Sequence, residues 1–229
     1  MSKVIITQPN YIPWKGYFSP MIKADYLVLY DDVQYTKHDW RNRNYLISDK
    51  GPELLTIPVK TKGILNQKIY EAKISDNRWN IKHLKFIKYN YSKTFFFKNY
   101  FEIFEDIYLN TKTDLISEVN YIFTKKIIEL LNIKIKILKS SELNIFGDRN
   151  QRLINICKHL NCETYLAAPN SKCYLNENLF TKNDLKIKYH NYSNFKEYEQ
   201  NWDGFEHKVS ILDMFFNLGN KTIDYLNET

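Results

Sequence analysis

Two short apolar runs near the N-terminus constrain the fold more than any other feature of the chain. Val4 to Thr7 stops at Gln8-Pro9-Asn10, and Tyr26 to Tyr30 stops at the paired acids Asp31 and Asp32. An apolar run bounded by turn residues reads as a buried strand. Between them lie a loop through Pro13 to Gly16 and an apolar-periodic stretch, Tyr17 to Ala24, that reads as a helix. Strand, loop, helix and strand in that order make a βαβ unit with parallel strands and a right-handed crossover. In open parallel sheets, ligands bind beyond the carboxyl ends of the strands. Gln8 and Asp31 fall at two such ends.

The rest of the chain supplies the other parts of an α/β domain. Tyr45 to Ile47 and Leu54 to Val59 flank Asp49-Lys50-Gly51, the pattern of a β-hairpin, with Pro58 placing the second strand at an edge or end. The middle third is helical: Trp79 to Tyr91, Phe95 to Leu109, and Leu115 to Leu131 with apolar residues at helical spacing. Ile133 to Leu138 alternates apolar residues with lysine and reads as a strand. Asp148 caps a helix, with Gln151 reaching back to it and an apolar face of Leu153, Ile154, Cys157 and Leu160. Thr164 to Ala168 and Leu185 to Tyr189 are further strands, and Val209 to Leu218 is a helix that Gly219 ends in a left-handed cap. No repeat or linker interrupts this order. The expectation is one domain over residues 1–229, with a parallel-sheet, Rossmann-like core, a β-hairpin, and a helical insertion over roughly 79–132.

Composition narrows the class. Hydrophobic residues make up 44% of the 229, enough for a real core and too many for a disordered chain. The formal net charge of +7 comes from lysines dispersed among acids. Abundant Asn, Lys, Ile and Tyr, all with AT-rich codons, make part of that basicity background. The remainder favours an anionic small ligand over nucleic acid, since no basic stripe is present. The three cysteines, Cys157, Cys162 and Cys173, form no C-x-x-C pair, so reduced thiols are expected and neither a disulfide framework nor a zinc site. The first residues carry no signal-peptide pattern, and no run of about 18 apolar residues occurs, so a cytoplasmic protein without membrane insertion is expected.

Two segments concentrate chemistry. Residues 8–17 read Gln8-Pro9-Asn10-Tyr11-Ile12-Pro13-Trp14-Lys15-Gly16-Tyr17, a tight loop whose backbone N–H groups at the helix start can face an anion. The same residues would also serve as a structural turn with Trp14 and Tyr17 in the core. Residues 31–44 are the densest polar stretch, containing Asp31, Asp32, Gln34, His38, Trp40, Arg41, Asn42 and Arg43. Arginine forks suit phosphate or carboxylate, and a purely solvated loop would have no need of Trp40 and Tyr35. Asp32 or His38 is the candidate base, and His83 joins them if its helix faces the same cleft. The sharpest expectation places Gln8, Asp32, Arg41, Arg43 and His83 around one cleft walled by Trp14 and Trp40. No P-loop, G-x-G-x-x-G or G-x-S-x-G pattern occurs, and no cofactor or metal is expected.

The run from Gln8 to Phe18 resembles the opening of the WbqC-like protein family. So does Asp31-Asp32-Val33-Gln34-Tyr35 followed by Trp40-Arg41-Asn42-Arg43-Asn44. Leu55-Thr56-Ile57-Pro58-Val59, Asn90-Tyr91, Ser210-Ile211-Leu212-Asp213 and Phe216-Asn217-Leu218-Gly219 agree in order. Two departures are visible: Ala167-Ala168-Pro169 stands where Ser-Gly-Pro is expected, and His38 where a basic residue is expected. The resemblance implies a place in bacterial surface-polysaccharide (O-antigen type) biosynthesis, with glycyl or aminoacyl transfer onto a nucleotide-linked amino sugar as its chemistry. The partners would be that sugar and an activated acyl donor, with transfer RNA as one carrier. Gln8, Asn10, Tyr11, Trp14, Lys15, Asp31, Gln34, Trp40, Arg41, Asn42 and Arg43 would then bind substrate. The alternative is a non-catalytic nucleotide-sugar binding protein. A looser likeness is to the nucleotidyltransferase-like (HUP, HIGH-motif) fold: the loop glycine is kept as Gly16, but the histidines that flank it there are absent.

Overall fold

The computed structural model describes residues 2–226. In chain order the N-terminal half holds β1 (Lys3–Thr7), α1 (Lys15–Phe18), β2 (Tyr26–Leu29), the hairpin strands β3 (Arg43–Ser48) and β4 (Gly51–Thr56), and helices α2 (Trp79–Tyr91) and α3 (Phe97–Asn110). The remainder holds α4 (Ile116–Leu130), β5 (Lys136–Lys139), α5 (Ser140–Leu143), α6 (Arg149–His159), β6 (Thr164–Ala167), α7 (Glu177–Thr181), β7 (Lys186–Tyr189) and α8 (Ile211–Leu218).

Five strands form one parallel sheet in the order β5-β2-β1-β6-β7, and β3 and β4 pair separately as an antiparallel hairpin. The fold is thus mixed α/β with a helical middle, as the apolar pattern predicts. Counting only the sheet strands along the chain, their order is 3-2-1-4-5, the doubly wound arrangement. The chain winds outward one way through β2 and β5, then returns to the other side of β1 for β6 and β7. The switch point therefore lies between β1 and β6.

Alternating residues of the central strands feed two cores. Ile5, Leu27, Leu29 and Leu166 pack with α2, α3, α4 and α8, while Val4, Ile6, Val28, Tyr165 and Ala167 pack with α6 and α7. Both faces are covered, which is why these strands read as unbroken apolar runs. Among the described residues, no helix is long and apolar enough to cross a membrane.

Several boundaries differ from the sequence expectation for identifiable reasons. The helix expected over Tyr17 to Ala24 is a short α1 followed by a 3-10 turn, Ser19–Lys23. Pro20 has no N–H for the α ladder, so the helix cannot continue through it. Ile133 does not begin a strand: its N–H bonds back to the Ile128 carbonyl, with Asn132 at φ 53, which closes α4 in a Schellman-type turn. β5 starts only at Lys136. The second hairpin strand ends at Thr56, before Pro58, and it is Pro52 that pairs within the ladder, opposite Ile47. Asp148 caps α6 as expected, through Gln151 N, but the Gln151 side chain runs forward to Asn155 instead of reaching back.

Candidate binding cleft

A cleft of about 520 Å³ opens at the carboxyl edge of the sheet, at the switch point. Thr7 and Gln8 come from the end of β1, Tyr30 from the end of β2, Ala168 from the end of β6, and His190 and Tyr192 from beyond β7. Gly16 and Tyr17 of α1 and Arg149 and Leu153 of α6 close its sides, and Gln34 and Arg41 arrive from the polar 31–44 segment. Ser171 and Tyr174 complete the rim. Two arginines and several phenol rings thus face the same space, and among the described residues no carboxylate lines it.

Each arginine is held in place. Arg41 donates through Nη1 to Asn10 Oδ1 at 2.5 Å and through Nη2 to Asp39 Oδ2 at 2.6 Å. Burial pushes the Asp39 carboxyl up. The Arg41 guanidinium, with bonds from Trp40 N and the Thr36 hydroxyl, outweighs this and holds it below the usual range. The Arg149 guanidinium lies 4.9 Å from the Tyr174 ring centroid, and Arg152, one turn on, lies 4.8 Å from that of Tyr30.

The loop that precedes α1 is positioned by buried amides. Asn44 Nδ2 donates to the carbonyls of Tyr11 and Ile12, at 3.2 and 2.8 Å. Asn120 Nδ2 donates to those of Pro9 and Arg41, at 3.2 and 2.8 Å. Tyr11 N bonds to the Trp40 carbonyl, which ties the two dense segments together. Ile12 sits at φ 34, a conformation a β-branched residue rarely adopts and one that Asn44 helps to enforce.

Of the residues expected around the cleft, Gln8, Gln34 and Arg41 line it and Asn10 braces Arg41. The others are brought elsewhere. Asp31 is buried and accepts from Ser141 N, Ser141 Oγ and Ser140 Oγ, fastening β2 to the start of α5. Asp32 accepts from Ser140 Oγ at 2.5 Å and forms an ion pair with Arg152. Its carboxylate therefore belongs to the α5–α6 side of the sheet, while Arg41 is tied through its carbonyl to α4. Asn42 is buried and bonds to the Ile57 carbonyl at 2.7 Å. Arg43 starts β3 beside Tyr35, away from the cleft. His38 occupies an exposed turn at φ 59, and Trp40 is 44% exposed against Tyr45.

Tyr11 and His83 form a separate buried cluster. The Tyr11 hydroxyl meets His83 Nδ1 at 2.8 Å and the Tyr108 hydroxyl at 2.5 Å. Burial lowers the His83 imidazole to about 4, despite a bond to the Thr56 carbonyl, so it is neutral and packed. Lys15 is also buried, under the rings of Phe195, Tyr198 and Phe205, with Nζ donating to the Lys196 carbonyl at 3.0 Å. Trp14 packs on Tyr192 and Phe195 and covers Gly16. A Cβ on Gly16 would lie 2.2 Å from Trp14 Cζ2. Gly16→Ala should therefore displace the indole and cost about 1–3 kcal/mol, read as a lower unfolding midpoint with a red shift in tryptophan emission; an unchanged spectrum and midpoint would refute the packing.

Arg149, Tyr30, Ser171, Tyr174, His190 and Tyr192 were not singled out from sequence. The carboxyl-end rule that selected Gln8 would have selected residues 168–174 and 190–192 had it been applied to Thr164–Ala168 and Leu185–Tyr189 as well.

Comparison with known proteins agrees with the sequence motifs. The family model described as the WbqC-like protein family matches residues 8–225. Uncharacterized protein Rv1507c of Mycobacterium tuberculosis is 35% identical over 226 residues, covering 99% of this chain and 98% of that protein. No solved structure matches the chain.

Proposed function

The chain belongs to the WbqC-like protein family, and from that premise we propose that it is a transferase of bacterial surface-polysaccharide synthesis that seats a nucleotide-linked amino sugar in the cleft and acylates its amine with an aminoacyl group. The observation that carries the reading is the pairing of Arg41 and Arg149 with phenol rings and, among the described residues, no lining carboxylate, at the switch point of a doubly wound sheet. Such a site suits a ligand with a planar base and phosphates. Arg41 and Arg149 take the phosphate oxygens, Tyr30, Tyr174 and Tyr192 offer ring faces, and Gln8 and Gln34 supply amides. The transfer chemistry itself rests on the family resemblance.

In that chemistry the sugar amine attacks the carbonyl carbon of an aminoacyl ester. A C–N bond forms, the ester C–O bond breaks, and the alcohol of the donor leaves with the proton that the amine gives up. His190 lines the cleft, and an imidazole can carry a proton between the two near neutral pH. Asp32, bound to Arg152, and His38, on an exposed turn, are less suited to that step.

Incubation with nucleotide-linked amino sugars and aminoacyl donors, followed by mass spectrometry, tests the reading. A mass gain of one amino-acid residue on the sugar is expected. Binding with no product across the donors would instead support a nucleotide-sugar binding protein. Arg149→Ala, at an exposed position, should weaken nucleotide affinity about tenfold while leaving the unfolding midpoint within a few degrees. An unchanged Kd by titration calorimetry would remove Arg149 from the site.

A further inference from the structure

Beside the cleft, two loops present a surface that the transfer chemistry does not use. Residues 36–41 and 58–66 are bracketed at both ends by hydrogen bonds to each other. At one end Tyr35 N donates to the Gln67 carbonyl at 2.7 Å, next to a bridge between Gln34 and Lys68. At the other, Ile57 N donates to the Asn42 carbonyl and Asn42 Nδ2 to the Ile57 carbonyl, both at 2.7 Å. The two loops therefore begin and end together, and the second is also held at its start by Lys60 N donating to the Lys73 carbonyl. The first rises from the cleft rim, since Gln34 and Arg41 line it, and the second shares its anchors.

Their tips are apolar and their flanks basic. Leu65 is 90% exposed and Ile64 45% exposed, and Trp40 stands out on the neighbouring loop. Gly63, at φ 75 with open space around its Cβ position, makes the turn that presents Ile64 and Leu65. Lys37, Lys60, Lys62 and Lys68 are all exposed, and among the described residues none of them is in an ion pair. The acids of the same stretch are engaged: Asp39 by Arg41, and Glu71 by the backbone of Lys68.

We propose that this face docks on an anionic lipid bilayer, with Ile64 and Leu65 entering the headgroup boundary and the four lysines facing acidic headgroups. Aliphatic tips ringed by lysine match a surface that is apolar within and negative without. A single-stranded RNA would call instead for a series of exposed aromatic rings along a basic groove, whereas these loops carry one such ring, Trp40, and end in the aliphatic Ile64 and Leu65. Docking of this kind is shallow and peripheral, needs no spanning helix, and sets the cleft mouth close to the membrane surface. It stands apart from the transfer reading and survives if that reading fails.

The test is co-sedimentation of the full chain with phosphatidylcholine vesicles, with and without phosphatidylglycerol, at low and high salt. Binding is expected to the anionic vesicles alone and to weaken at high salt. Ile64→Ser with Leu65→Ser should lower it at least tenfold with an unchanged unfolding midpoint, and Lys62→Ala with Lys68→Ala should lower it at low salt. No binding to anionic vesicles overturns the proposal, as does full retention by the serine variant. Binding of a single-stranded RNA oligonucleotide that the same substitutions abolish, without vesicle binding, overturns it in favour of RNA.

Discussion

Replacement of Asp213 by alanine should destabilise the protein by about 3–5 kcal/mol, and lower its unfolding midpoint by on the order of 10 °C. The carboxylate is fully buried in the first turn of α8. It accepts from the Tyr91 hydroxyl at 2.8 Å, the Tyr198 hydroxyl at 2.6 Å and Gln200 Nε2 at 3.1 Å. The Tyr91 hydroxyl in turn accepts from Ile47 N. One side chain thus joins α8, α2, β3 and the segment around Tyr198. Alanine leaves the buried Tyr91 and Tyr198 hydroxyls without this acceptor, each with its own desolvation cost, while Gln200 Nε2 keeps its bond to the Glu206 carbonyl. Burial pushes the Asp213 carboxyl up, opposed by the Tyr198, Tyr91 and Gln200 bonds. Circular dichroism melts of Asp213→Ala and Asp213→Asn would read the effect, with asparagine the milder because it keeps an acceptor. A midpoint within 2–3 °C of the native one for the alanine variant would show that the network does not hold these elements together.

The parallel sheet was legible because its information is local. Val4 to Thr7 and Tyr26 to Tyr30 are unbroken apolar runs, as strands covered on both faces must be, and the stretch between them leaves room for one crossover. The element ends were less legible because they depend on backbone bonding. Asn132 at φ 53 and the return of Ile133 to Ile128 decide where α4 stops, and the apolar-lysine alternation from Ile133 onward carries no trace of that.

The site was half legible for a related reason. Sequence marks which residues lie at strand ends but not which way a side chain turns there. Asp31 and Asp32 follow β2 as expected, yet Ser140, Ser141 and Arg152 lie more than a hundred positions away and take both carboxylates. Likewise, the density of Asn10, Asn42 and Asn44 reads as ligand chemistry but mostly satisfies backbone carbonyls or braces Arg41. Arg149 and His190, which do face the cleft, sit in polar stretches, Asp148-Arg149-Asn150-Gln151-Arg152 and His190-Asn191-Tyr192-Ser193-Asn194, whose pattern reads as a helix start and a loop after a strand.

Lys15 shows the same limit and gives a pH test with a definite sign. Its side chain is 1% exposed, and burial lowers its ammonium from 10.5 to about 8, with Glu197 and Asp213 opposing. Between those values the unfolded chain binds a proton that the folded chain does not, so folding stability rises with pH across the window and is lost as pH falls towards 8. At pH 7 the group therefore withholds about 3 kcal/mol relative to strongly alkaline conditions. Lys15→Met fills similar space without a charge and removes that dependence. Urea unfolding of both proteins should show their stability difference moving in favour of the native chain by about 2 kcal/mol between pH 7 and 9.5. That range stops short of the region where Tyr91 and Tyr198, both raised by burial, begin to withdraw stability as the unfolded phenols ionise near pH 10. Parallel curves would mean that the ammonium reaches water, and that the Phe195, Tyr198 and Phe205 rings do not close over it in solution. A converging pair would place a buried charge under the segment that supplies the Tyr192 wall of the cleft.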